Sequence, residues 1–137
     1  MIIEVMRVEI KPNQKKKGYF TVTPHGSIDS DSHDNFRESI TPLLVKTTQG
    51  ILVDLKDVSY ISSAGFGVLF SMQNFLRQNK GELLFCHLKP QIQKLFDVMK
   101  ALPSQNIFKS IEEADEYLLS IVKDEIRRQQ ENESGLR

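Results

Sequence analysis

The stretch Gly50-Ile51-Leu52-Val53-Asp54-Leu55 constrains the fold more than any other part of this chain. Its apolar residues do not alternate with polar ones, so a strand with one face in water is a poor fit. A short run that is apolar on both faces suits a central parallel strand with helices packed on it. Leu83-Leu84-Phe85-Cys86 is a second short buried run. Parallel neighbours need crossover connections, usually helical. Between the two runs, Val68, Leu69, Met72, Phe75 and Leu76 recur at helical spacing.

The rest of the chain extends this pattern. Ile3, Val5, Val8 and Ile10 are interleaved with Glu4, Arg7 and Glu9, which predicts a strand. Tyr19-Phe20-Thr21-Val22-Thr23 is a second, ending at Pro24-His25-Gly26. The two can pair as a hairpin around the polar turn Pro12 to Gly18. Its Lys15, Lys16 and Lys17 read as a solvated loop tip rather than an anion patch. Ser27 to Asp34 is dense in turn and N-cap residues. Phe36, Ile40, Leu43 and Leu44 then predict a helix from about Ser32 to Lys46, kinked or split at Pro42. Asn79-Lys80-Gly81 ends the middle helix, with Gly81 as the expected left-handed cap.

Pro90 opens another helix carrying Ile92, Leu95, Phe96 and Met99. Ile107-Phe108 is a last, very short strand. Ser110 and Glu113 form a capping-box pattern. Ile111, Ala114, Tyr117, Leu118, Ile121, Val122 and Ile126 mark a long final helix that packs on its own sheet or, alternatively, on a second copy. Its polar end, Arg127 to Arg137, is expected to fray. The expectation is therefore an α/β fold: one mostly parallel sheet of four to five strands with an N-terminal antiparallel strand, packed with about four helices. Residues 1–122 form the domain, and 123–137 the helix end and tail.

Bulk composition narrows the function classes. The 137 residues suit one domain. Lys plus Arg and Asp plus Glu number 18 each, so no net positive field recommends nucleic acid or an anionic membrane as partner. The single cysteine, Cys86, excludes an internal disulfide and suits a reducing compartment, so the expected location is the cytoplasm. No run of about eighteen apolar residues predicts a membrane span. No secretory signal pattern opens the sequence.

The candidate site is Ile61-Ser62-Ser63-Ala64-Gly65-Phe66-Gly67, where a strand-to-turn passage becomes a helix. A hydrolase elbow needs Gly-x-Ser-x-Gly and a base. Here Ile61 stands where the first glycine belongs, and only His25, His33 and His87 could serve as base. A Walker loop needs a lysine that no position after Gly65 or Gly67 supplies. A dinucleotide fingerprint needs three spaced glycines and finds two. No spaced set of His, Cys or carboxylates suggests a metal. Two readings remain: Ser62 or Ser63 caps the helix, or one of them takes a phosphate. A helix N-terminus tolerates that dianion, because unpaired N–H groups and the positive dipole end face it.

The stretch from Leu52 to Leu69, with Val58-Ser59-Tyr60-Ile61 leading into Ser62-Ser63-Ala64-Gly65-Phe66-Gly67, resembles the signature of STAS domains, and of bacterial anti-sigma-factor antagonists in particular. Gly26-Ser27-Ile28-Asp29, Gly81-Glu82-Leu83 and Phe108 to Ala114 resemble further family segments. The resemblance spans about residues 3 to 120 and implies a protein-binding switch rather than an enzyme. It implies phosphorylation at Ser63, with Ser62 as the alternative acceptor. The partner surface would include Asp29, Ser62, Ser63, Ala64, Gly65 and Phe66. The partners implied are an anti-sigma factor that is itself a serine kinase, and a serine phosphatase that resets the cycle. Neither cofactor, metal nor direct nucleic-acid contact is implied. Some STAS domains instead serve as unphosphorylated scaffolds or small-ligand modules. One departure stands out: the family's Asp before the acceptor is Ser62 here, which removes a negative charge.

Overall fold

A computed structural model describes the backbone of residues 6–99 and 106–135, and their side chains apart from 121–126 and 132–135. Five strands, β1 (Arg7–Pro12), β2 (Tyr19–His25), β3 (Gly50–Asp54), β4 (Glu82–Cys86) and β5 (Ile107–Phe108), lie side by side in chain order. β1 runs antiparallel to β2, and every other pairing is parallel. The helices are α1 (His33–Ile40), α2 (Ser63–Gln78), α3 (Pro90–Met99) and α4 (Ile111–Gly135). This is the α/β sheet the apolar runs predict. The part of the first strand expected at Ile3 and Val5 lies outside the described residues.

The two-sided apolar runs are explained by two cores. Ile51 and Val53 of β3, with Leu83 and Phe85 of β4, join a core built with α1, α2 and α3. Leu52, Leu84 and Cys86 point the other way and pack with Ala114 and Leu118 of α4. Alternation along a strand sends successive side chains to opposite faces, so both faces must be apolar. In the larger core Phe96 stacks edge-on against Phe66 and Phe85, at centroid separations of 5.4 and 4.9 Å.

Three local details differ from the sequence pattern. The helix predicted to about Lys46 stops at Ile40 and tightens into a single 3-10 turn, Thr41–Leu43. Pro42 has no N–H, and its ring would clash with the carbonyl of Glu38 in a continued α-helix. Secondly, the left-handed residue after α2 is Lys80, at φ +60°, and not Gly81. The Lys80 and Gly81 amides bond back to Arg77 and Leu76 at 3.1 and 2.6 Å, a Schellman cap with lysine in the usual glycine place. What Gly81 supplies is space: a Cβ there would lie 2.9 Å from the Gln49 carbonyl oxygen. Thirdly, α4 is helical through Gly135, beyond Ile126, the last residue of its apolar stripe. In the hairpin turn Lys15 and Lys17 are exposed, while the Lys16 ammonium reaches the Leu118 carbonyl of α4 at 2.5 Å.

Candidate functional site

The serine turn is held by the segment after β2. The Gly26 amide donates to the Asp57 carbonyl at 3.1 Å and the Ile28 amide to Tyr60 at 3.0 Å. The Ser62 amide returns a bond to the Ile28 carbonyl at 2.9 Å. Ile28 and Ile61, both buried, form a parallel bridge at the centre of this zipper. Asp29 therefore leaves the zipper beside the start of α2.

The two serines have different jobs. Ser62 sits in extended conformation (φ −81°, ψ 173°) and its hydroxyl accepts the Gly65 N–H at 3.2 Å, which is N-cap geometry. Ser63 is the first residue of α2 and is exposed. Among the described residues its hydroxyl has no hydrogen-bond partner. The first turn of α2 carries no acidic side chain, so its positive end is uncompensated. Asp and Ser are about equally good N-caps, so the Ser62 departure from the family pattern keeps the cap while removing the charge.

Gly65 and Phe66, expected on the partner surface, lie inside. A Cβ on Gly65 would sit 2.3 Å from the Ile28 carbonyl oxygen. Phe66 is 2% exposed and belongs to the core. Both position the turn and offer it no side chain. Ala64 is half-buried beside Ser63. Tyr60 is the residue the motif reading overlooked: it is 51% exposed, three positions before Ser63. An aromatic outside the helical stripe was the available signal.

Asp29 is an organiser. Its Oδ1 accepts the amides of Asp31 and Ser32 at 2.9 and 3.0 Å. The Asp31 amide first, then the Ser32 hydroxyl, hold its carboxyl below the usual carboxylate value. The Asp29 carboxylate is thus spent on the entrance to α1.

The three histidines are engaged elsewhere. His25 lies between Glu9 and Asp57, at 3.2 and 2.8 Å. His33 Nδ1 lies 3.1 Å from the Asp29 carbonyl oxygen, and His87 Nδ1 lies 2.9 Å from Asp54 Oδ1. Among the described residues none of the three hydrogen-bonds to Ser62 or Ser63. Among the described residues no helix is long and apolar enough to cross a membrane.

At the far ends of β3 and β4, Asp54 and Cys86 are register partners, and His87 folds back between them. Burial among Leu84, Ala114 and Leu118, followed by the Asp54 carboxylate, pushes the Cys86 thiol up to about 12. An unfolded chain releases that proton near the ordinary value of 9.0. The folded state then binds the extra proton, so the Cys86 contribution to stability is full below that value and is lost as pH climbs toward about 12. Denaturant titrations across this window should show a shallower alkaline loss for Cys86→Ala than for the parent. Equal slopes would mean that another group governs the alkaline loss.

Comparison with known proteins places this geometry in a family. The STAS domain model matches residues 11–114. A candidate anti-sigma factor antagonist of Bordetella bronchiseptica, BtrV, is 30% identical over 84 residues, covering 61% of this chain and 72% of its own. The anti-sigma-B factor antagonist of Listeria monocytogenes is 27% identical over 93 residues, covering 68% and 82%. The unphosphorylated anti-sigma factor antagonist SpoIIAA superposes with a TM-score of 0.65 at 14% identity, over 85% of this chain and 97% of that one. Its phosphorylated form, from Bacillus, gives 0.63 at 16% identity, over 80% and 99%. At those identities the solved structures speak for the fold.

Proposed function

We propose, from the premise that this chain belongs to the STAS domain family, that it is an anti-sigma factor antagonist switched by phosphorylation of Ser63. The unphosphorylated chain binds a serine-kinase-type anti-sigma factor and so frees the sigma factor. The kinase ends that state by transferring a phosphoryl group from ATP to the Ser63 hydroxyl, and a serine phosphatase restores it. The chain acts in the cytoplasm and contributes a surface rather than a catalytic group.

The observation that carries this reading is the division of labour at the turn. Ser62 caps α2, which leaves the Ser63 hydroxyl exposed at the helix start without a structural duty. A phosphate there adds about −1.5 to −2 charges beside an uncompensated helix N-terminus, so the fold accommodates it. A partner seated on the neutral serine meets a bulky dianion instead. Tyr60 and Ala64 flank the acceptor, and exposed tyrosines are frequent interface anchors. The relatives named as anti-sigma factor antagonists support the same assignment.

The test is to incubate the chain with its cognate kinase and ATP and to map the phosphate by mass spectrometry. Phosphate is expected on Ser63. The Ser62→Ala variant should lose about 1 kcal/mol of stability with its cap and still accept phosphate. Phosphate on neither serine would end the switch reading. Phosphate confined to Ser62 would move the acceptor to the cap.

A further inference from the structure

We propose that Asp54, Cys86 and His87 form a binding site for a transition-metal dication of the zinc class. The three residues offer one oxygen, one sulfur and one nitrogen, all within 4.8 Å of one another. His87 Nδ1 lies 2.9 Å from Asp54 Oδ1 and 3.8 Å from Cys86 Sγ. Ligand atoms around a tetrahedral zinc stand about 3.3–3.8 Å apart, given bonds of about 2.0–2.3 Å. One pair already meets that spacing, and the Asp54–His87 pair needs to open by a few tenths of an ångström.

The surroundings favour a built site. Asp54 is 1% exposed and Cys86 is fully buried, so these donors are not a loose surface cluster. The β3–β4 register fixes them side by side on the α4 face of the sheet. His87 adopts φ +58°, the left-handed region that few non-glycine residues enter and in which Asn, Asp and His are enriched. That turn brings its ring back over the strand ends. The group lies at the carboxyl ends of parallel strands, where ligands of α/β sheets collect. A cleft of about 390 Å³, lined by His87, Leu88, Gln93, Ile107, Phe108 and Lys109, opens beside it. It leaves room for a fourth ligand, as in zinc sites with three protein donors.

The donor set chooses the metal. Thiolate with imidazole selects zinc, cobalt or copper, whereas magnesium and calcium require oxygens. Binding exchanges the Cys86 S–H bond for an S–metal bond and releases that proton to solvent. His87 binds as neutral imidazole through Nδ1, with its proton on Nε2. Lys56, whose ammonium is 3.7 Å from Asp54 Oδ2, acts as the competing counter-ion. The contrary reading is that the His87–Asp54 hydrogen bond serves only to satisfy a buried carboxylate.

Cobalt(II) distinguishes them. The full-length chain, stripped with a chelator, is titrated with Co²⁺ and then with Zn²⁺. One Co²⁺ per chain is expected, with a thiolate-to-metal charge-transfer band and the strong visible bands of tetrahedral cobalt, all displaced by Zn²⁺. Cys86→Ser should abolish the charge-transfer band. His87→Asn, which keeps a residue that tolerates the left-handed backbone, should weaken binding at least as much as the ~10–100-fold that outer partners of metal ligands cost. Lys56→Ala should bind as tightly as the parent or more so. Absence of a charge-transfer band at millimolar Co²⁺, or unchanged affinity in the His87→Asn and Cys86→Ser variants, would overturn the proposal.

Discussion

The Ser63→Asp variant should bind the proposed anti-sigma factor partner at least ~30-fold more weakly than the parent while unfolding at nearly the same denaturant concentration. The two halves have separate causes. Ser63 is exposed, makes no internal hydrogen bond to a described residue, and opens a helix whose first turn carries no acid. Aspartate there faces the positive end of the helix, and exposed substitutions of this kind stay within about 0.5 kcal/mol. An unpaired charge trapped in a protein interface costs about 2 kcal/mol or more, which is the ~30-fold. Calorimetric titration against the partner and urea unfolding measure the two halves independently. Unchanged affinity would place Ser63 outside the contact surface. A large loss of stability would show that the hydroxyl has a structural task after all.

Gly65→Ala should be the most damaging single methyl that can be added near the site. The new carbon would lie 2.3 Å from the Ile28 carbonyl oxygen and 2.9 Å from a methyl each of Ile28 and Ile61. Neither neighbour is the free end of a flexible side chain, so α2 must back away from the zipper. The Ser62–Ile28 hydrogen bond and the Ile28–Ile61 bridge are lost together. Overpacking of a rigid site typically costs about 1–3 kcal/mol, and the two lost links put this case at or above the top of that range. The melting temperature should fall by roughly 10 °C for a chain of this size. Gly67→Ala is the matched control, because nothing lies within 4 Å of a Cβ there. It should stabilise α2 by up to about 1 kcal/mol through helix propensity. Equal stability in the two variants would show that α2 slides freely on the sheet.

The contrast between the two glycines also shows what a sequence conceals. Gly65 and Gly67 look equivalent in the motif, yet one is pressed against a backbone carbonyl and the other faces open space. β3, β4 and α2 are readable because each announces itself through local periodicity or its absence. The end of α1 is readable only as a kink, since Pro42 breaks the ladder but tertiary packing decides the path of the chain beyond it. Lys80 in the left-handed place of Gly81 is hidden because propensity favours glycine there, and the close approach to Gln49 claims Gly81 for another purpose. Phe66 is misplaced on the surface for a simpler reason. It lies three residues before Leu69 and thus on the apolar stripe, but the family motif draws attention to its position in the loop. The Asp54–Cys86–His87 corner is out of reach: α2 separates Asp54 from the adjacent pair Cys86-His87 in sequence, and they meet only through the register of two parallel strands.

That register carries a broader consequence. Odd positions of β3 and β4 belong to the helices that present Ser63, and even positions belong to α4. The sheet is therefore a partition as well as a scaffold. Changes accumulating on one side need not be answered on the other, provided that volume is kept within each. A lineage could re-tailor the face that carries Ser63 while leaving the opposite wall intact, or the reverse. One small domain can in this way be altered on its two faces independently.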